Sequence, residues 1–298
     1  MQAWQPDRLL AGFEALELEF PDDYDGRVLA SLVRLPTVAA PRGAVLWLHG
    51  FVDYFFQRHV AERFAMEGYA FYALDLRKHG RSLRPHQHPN FCKSLAEYYA
   101  DITRSIDVIG EPVLLAGHST GGLISALYAH EGPHRARVWA LWLNSPFFDW
   151  KLPDWRKAQI HMAAALGRFF PFLNDPKALL PDYGRGLIAD GWEFDTTLKP
   201  IEGFPVYYGW LGAIGDAHEK MRRGLNIRCP VLAMHSDEAD IVLDWRDIAR
   251  CSRTLGPDVS VLAFPGAQHD VTLSRPEIRE EVFRQLFAWA ERAVMSPA

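Results

Sequence analysis

A serine between glycines, Gly117-His118-Ser119-Thr120-Gly121, is the arrangement in this 298-residue chain best suited to covalent chemistry. The apolar run Val113 to Ala116 before it has strand character, and Leu123 to Tyr128 after it has helix character. A strand–turn–helix junction this tight crowds the residues two positions either side of the serine, and Gly117 and Gly121 have no Cβ to clash. Ser119 Oγ would then project above a sheet edge at a helix N-terminus, where outward N–H groups favour negative charge. A serine hydroxyl needs a base within hydrogen-bond reach. Among twelve histidines, position decides, and His269 in Phe264-Pro265-Gly266-Ala267-Gln268-His269-Asp270 follows the last strand-like run. An acid must orient that imidazole and stabilise its charged form. The loop after Met234 offers Asp237, Glu238, Asp240 and Asp244. Asp240, directly ahead of Ile241-Val242-Leu243, is the expected acid, with Asp237 as its rival. The developing oxyanion needs pre-aimed donors, expected from the backbone N–H of Thr120 and of Phe51 in His49-Gly50-Phe51. His49 is expected to brace that loop. His86, His88 and Cys92 could share a metal only with a carboxylate cluster that their neighbourhood does not supply, so neither metal nor cofactor is expected.

These groups must be held by a framework, and its pattern is legible. Leu16 to Phe20 alternates like an antiparallel edge strand, with 27–35 as its hairpin partner. Ala44-Val45-Leu46-Trp47-Leu48 is continuously apolar, as in a strand covered on both faces. A helix around Val60 and Phe64, a strand from Tyr69 to Leu74, a helix from Leu95 to Ile109 and a strand from Val138 to Leu143 follow. Alternating strands and helices predict a mostly parallel α/β sheet flanked by helices. The rhythm stops between about Phe148 and Ile227, where aromatic residues crowd among prolines and glycines, and helices are expected near 155–169 and 210–223. It resumes with a strand at 231–234, a helix at 245–255, a strand at 259–263 and an amphipathic helix from Glu277 to Val294. The expected division is therefore a core of 1–147 with 228–298, and an aromatic-rich insertion, 148–227, roofing an apolar pocket. His118, Tyr54, Trp150 and Trp210 are the expected substrate-contacting side chains.

Composition narrows the class. Hydrophobic residues are 49% and charged residues 23%, as in an ordinary globular protein. A formal charge of −5 without a long basic block argues against nucleic acid as a partner. Three widely spaced cysteines define no disulfide framework. No signal peptide or spanning stretch is visible, so a cytoplasmic location is expected, and any contact with a lipid surface through the insertion would be transient. Nothing in the residue pattern speaks to oligomeric state.

Four stretches together carry a family resemblance: Leu48-His49-Gly50-Phe51, Leu74-Asp75-Leu76-Arg77-Lys78-His79-Gly80-Arg81-Ser82, Gly117 to Gly122, and Pro265 to Asp270. The chain resembles the serine α/β-hydrolases of the monoacylglycerol lipase and lysophospholipase group, sometimes classed with serine aminopeptidases. The resemblance implies an α/β-hydrolase fold with an inserted helical cap, and a Ser119–His269–Asp240 triad with Phe51 and Thr120 as oxyanion donors. It also implies hydrolysis of carboxylic esters, monoacylglycerol, lysophospholipid or similar acyl or aryl esters, through an acyl-enzyme. Peptide or amide hydrolysis on the same scaffold, and a catalytically silent ligand-binding homologue, are the alternatives. In two places the chain departs from the group. The loop holding Asp237 and Asp240 is one residue longer than the usual glycine-containing turn, and Phe51 to Phe56 is more aromatic than the usual oxyanion loop.

Overall fold

The computed structural model describes residues 3–36, 40–176 and 181–295. In chain order the elements begin with β1 (Gln5–Pro6), β2 (Glu14–Asp23), β3 (Gly26–Arg34), β4 (Ala44–Leu48), α1 (Arg58–Met66) and β5 (Ala70–Asp75). Next come α2 (Tyr98–Ile109), β6 (Val113–His118), α3 (Thr120–Glu131) and β7 (Val138–Asn144). The inserted stretch holds α4 (Asp154–Gly167), β8 (Asn174–Asp175), α5 (Pro181–Ala189), β9 (Val206–Tyr207) and α6 (Tyr208–Arg223). The chain closes with β10 (Val231–His235), α7 (Trp245–Ser252), β11 (Val259–Ala263) and α8 (Pro276–Met295).

Strand order in the main sheet is β1-β2-β3-β5-β4-β6-β7-β10-β11. The hairpin β2–β3 joins antiparallel to β5, and every pairing from β5 across to β11 is parallel. The unbroken apolar strands are explained by cover on both faces. Leu46, Leu115 and Leu141 pack on one side with α2 and α3, whereas Val45, Leu114 and Ala140 pack on the other with α1 and α8. Helix α3 is buried from Thr120 through Ala129, which is why its sequence lacks a polar face.

The inserted helices differ in how they are held. Helix α6 is anchored through Trp210, Ile214 and His218, all buried. Helix α4 buries only Gly167, where a Cβ would come 2.3 Å from the Tyr208 carbonyl oxygen. His218 Nε2 donates to the Phe147 carbonyl at 3.0 Å, tying α6 to the chain leaving β7. Burial pushes the His218 pKa down to about 4, against smaller opposing effects of the Phe147 bond and Asp149. Below about 6.5 the unfolded chain binds this proton, while the folded chain does not until about 4. Stability therefore falls as pH drops through that window, by about 3 kcal/mol from this group. Urea midpoints at pH 7 and pH 4.5 should differ less in His218→Gln than in the wild type.

Candidate active site

The C-terminal ends of β4, β6, β7, β10 and β11 lie together, as register shows: Leu48 pairs with Gly117, His118 with Asn144, and Met234 with Asn144. In parallel sheets this edge is where ligands are met. Ser119 stands at the junction of β6 and α3 with φ 53° and ψ −117°, a strained conformation for a residue with a Cβ. It persists because the backbone is held on both sides. Its N–H donates to the Asn144 carbonyl at 2.9 Å, and its carbonyl accepts from Phe147 N at 3.0 Å and Leu123 N at 3.1 Å. The flanking glycines are required by space. A Cβ on Gly117 would sit 2.4 Å from the Gly121 carbonyl oxygen, and one on Gly121 would sit 2.3 Å from that of His49.

His269 and Asp240 arrive on separate loops and meet, with Nδ1 at 2.9 Å from Asp240 Oδ2. The pair is almost completely buried. Asp240 Oδ1 accepts from Val242 N at 2.7 Å and Leu243 N at 3.0 Å, so both carboxylate oxygens are engaged. Burial alone would raise the Asp240 pKa. The His269 charge and hydrogen bond, with the two backbone donors, outweigh burial and hold it below the usual carboxylate range. An ionised carboxylate only accepts, so Nδ1 carries the imidazole proton and Nε2 is left as the basic nitrogen. Asp237 has other work. Its Oδ1 accepts from Ala239 N at 3.1 Å and Gly266 N at 3.0 Å, clipping the β10 loop to the β11 loop.

Next to His269, Asp270 is a buried anchor. Its Oδ1 accepts from Asn144 Nδ2 at 2.7 Å and from Thr272 N and Oγ1, and its Oδ2 accepts from Gln57 Nε2 at 3.2 Å. Burial would raise its pKa, but attraction to His118 and these hydrogen bonds lower it. His118 itself is lowered by burial, only partly offset by Asp270, and its Nδ1 donates to the Asn144 carbonyl at 3.3 Å. Asn144 thus links the serine turn to the histidine loop.

The loop after β4 passes close to Ser119: a Cβ on Gly50 would be 3.3 Å from Ser119 Cβ. Phe51 and Thr120, the first residue of α3, line the same cavity. The Phe51 ring stacks on Trp210 at 4.0 Å. His49 Nε2 accepts from Leu76 N at 3.1 Å, so its Nδ1 carries the proton and donates to the Gly50 carbonyl at 2.7 Å. Asp75 braces the same loop from β5. Its Oδ1 accepts from Phe55 N at 2.8 Å, and its Oδ2 accepts from Arg81 N and Nη1. The Leu74 to Ser82 stretch is therefore scaffolding for the β4 loop.

Ser119, Thr120, Phe51 and His269 all line one cavity of about 230 Å³, together with His118, Trp150 and Trp210. Tyr54 does not line it, correcting the sequence expectation. Its ring packs against Phe56, and its hydroxyl accepts from Asp195 N at 2.7 Å, because the residue after Asp53 turns away from the cavity. Three lining groups escaped sequence reasoning. Asp53 pairs with Lys199 Nζ at 2.7 Å. Tyr183 sets its ring 5.6 Å from that of His269, and its hydroxyl accepts from Asp270 N at 3.2 Å. Each joins segments more than eighty residues apart, so no local pattern announces them. His86, His88 and Cys92 are not drawn into a metal cluster among the described residues, and His88 Nδ1 sits 2.7 Å from Asp25 Oδ1.

A parallel sheet with a strained serine between strand and helix, and a buried acid–histidine pair on the following loops, defines an α/β-hydrolase. A profile described as serine aminopeptidase, S33, matches residues 39–275, and the chain belongs to that family. It is 25% identical to a monoacylglycerol lipase of Mycolicibacterium smegmatis over 256 residues, covering 80% of this chain and 84% of the relative. It is 22% identical to a monoglyceride lipase of Saccharomyces cerevisiae over 281 residues, 86% of this chain and 87% of that one. Among solved structures, a soluble variant of that yeast lipase with a substrate analogue superposes with a TM-score of 0.74 at 19% identity, covering 94% and 96% of the two chains. The monoacylglycerol lipase of Paleococcus ferrophilus gives 0.70 at 24% identity, covering 88% of this chain and 99% of that one.

Proposed function

We propose that this chain is a carboxylic ester hydrolase acting on monoacylglycerols, lysophospholipids or similar acyl or aryl esters, with Ser119 as nucleophile, His269 as base and Asp240 as orienting acid. The observation that carries the reading is the buried Asp240–His269 bond, whose histidine lines the cavity that Ser119 also lines. Ser119 Oγ attacks the ester carbonyl while His269 Nε2 takes its proton. The N–H groups of Phe51 and Thr120 hold the oxyanion, and His269 then protonates the leaving alcohol. Water repeats the cycle on the acyl-enzyme. The lipase names of the relatives accord with this substrate class.

Residues 148–227 act as a cap over the cavity in this reading. Trp155, Met162, Leu166, Phe169 and Phe170, all exposed, form an apolar outer surface on and after α4 suited to transient contact with lipid. Among the described residues no helix is long and apolar enough to cross a membrane. The alternative, hydrolysis at a free amino terminus, would need a carboxylate offered to an ammonium group. Asp53 on the cavity wall is already neutralised by Lys199, which disfavours it.

The test is turnover of p-nitrophenyl esters from acetyl to palmitoyl beside aminoacyl p-nitroanilides, then monoacylglycerol dissolved and in neutral vesicles. Ester turnover without anilide turnover is expected, with vesicle-held substrate favoured over dissolved. Anilide turnover alone would transfer the assignment to a peptidase.

A further inference from the structure

The inserted segment grips the β4 loop on both sides of an abrupt backbone turn. Val52, between Phe51 and Asp53, has φ 49°, a genuine outlier for a β-branched residue and one that must be held from outside. Ahead of it, the Phe51 ring is stacked on Trp210 of α6. Behind it, buried Asp53 accepts from Lys199 Nζ at 2.7 Å, and Tyr54 Oη accepts from Asp195 N at 2.7 Å. Lys199 and Asp195 belong to one hydrogen-bonded turn. The Asp195 carbonyl accepts from Lys199 N at 2.9 Å, and its Oδ1 caps Thr197 N at 2.8 Å. Phe56 and Phe194 flank the Lys199 ammonium at 5.6 and 5.8 Å, so the pair sits in largely apolar surroundings.

We infer that Lys199 is a positioning residue. Through Asp53 it holds the strained Val52 turn, and with it aims the Phe51 N–H at the oxyanion. The inference rests on the proposed ester-hydrolase reading for its kinetic consequence. Lys199 touches neither nucleophile nor base. The insertion therefore completes the oxyanion site as well as roofing the cavity, and a chain whose 195–199 turn is unseated keeps its Ser119, His269 and Asp240 but loses one donor. Because the oxyanion exists only on the reaction path, the loss falls on kcat and leaves KM nearly unchanged.

The experiment compares Lys199→Met, Lys199→Arg and Tyr54→Phe with wild type on the best p-nitrophenyl ester. It adds inhibition by a trifluoromethyl ketone of the same chain length and hydrogen exchange of the 49–57 backbone. Lys199→Met should lose about 10–100-fold in kcat with KM within about twofold, as expected for a misaimed donor. Ketone affinity should weaken in step with kcat/KM, and exchange across 49–57 should quicken while the Ser119 turn keeps its protection. Lys199→Arg keeps the charge and should retain most of the rate, and Tyr54→Phe should show the same pattern more weakly. An unchanged kcat, a loss confined to KM, or unchanged exchange in Lys199→Met would each overturn the assignment. If Lys199→Met does not fold, Tyr54→Phe decides by the same three readings. If the wild type turns over no ester, the substrate reading fails, while the exchange comparison still judges the clamp.

Discussion

Ser119→Ala should lower ester turnover by about 10⁵–10⁶-fold in kcat while the protein remains folded. Residues that work as one unit fail together, so His269→Ala should cost about as much, and the two losses should not add. Stability should change by no more than about 0.5 kcal/mol, since one oxygen is removed and the Asn144, Phe147 and Leu123 bonds that hold the turn are all made by backbone. Matched thermal melts and single-turnover kinetics on a p-nitrophenyl ester check both halves. Binding of a non-hydrolysable ether analogue should survive in the variant. A wild type that binds this analogue but turns over no ester would mark the chain as a silent binding protein.

The second large effect is at the acid. Asp240→Asn should lower kcat by about 10⁴-fold, through the histidine tautomer. Val242 N and Leu243 N both donate to Oδ1, so the introduced amide keeps its oxygen there and turns its NH2 toward His269 Nδ1. Nδ1 must then accept, the imidazole proton moves to Nε2, and the nitrogen that should take the serine proton is blocked. Asp237→Asn should stay within about threefold of wild type, because Asp237 serves Gly266 N and Ala239 N. Comparing kcat for the two variants separates the candidates directly. Equal losses would remove the basis for assigning Asp240.

The insertion joins the core unevenly. Trp192 Nε1 donates to the Leu273 carbonyl at 2.8 Å and Gln268 Nε2 to Asp190 Oδ2 at 2.6 Å, beside the Tyr183, Asp195 and Lys199 contacts. All of these fall on 183–199, against the loops of β4 and β11. Helix α4, by contrast, buries only Gly167 fully, packs Ile160, Ala163 and Ala164 partly against the core, and leaves Trp155, Met162 and Leu166 exposed. Motion of the insertion during substrate entry is therefore expected in α4 before 183–199.

Much of this molecule is decided locally. The unbroken apolar strands, the buried helix behind Ser119 and the paired glycines follow from periodicity and from the space available at a tight turn. These features also order the loops along one sheet edge, which is why Ser119, His269 and the loop of Phe51 could be named from residue type and spacing. The family resemblance pointed to the same roles and added the substrate class. Three matters depended on tertiary structure. Asp237 and Asp240 sit three residues apart in one loop, and only the path of that loop turns Asp240 inward to His269. Tyr54 looked like a wall residue, yet the Val52 turn carries it away from the cavity and onto Asp195. Helix α5, which carries Gly184 and Gly186, and the Lys199 turn give weak local signals, and they are held by bonds to residues far away in the chain. Periodicity and turn geometry act over a few residues and are written in neighbours. Buried pairs such as Asp53–Lys199 depend on which distant segments meet, and that is decided only when the sheet and its insertion close together.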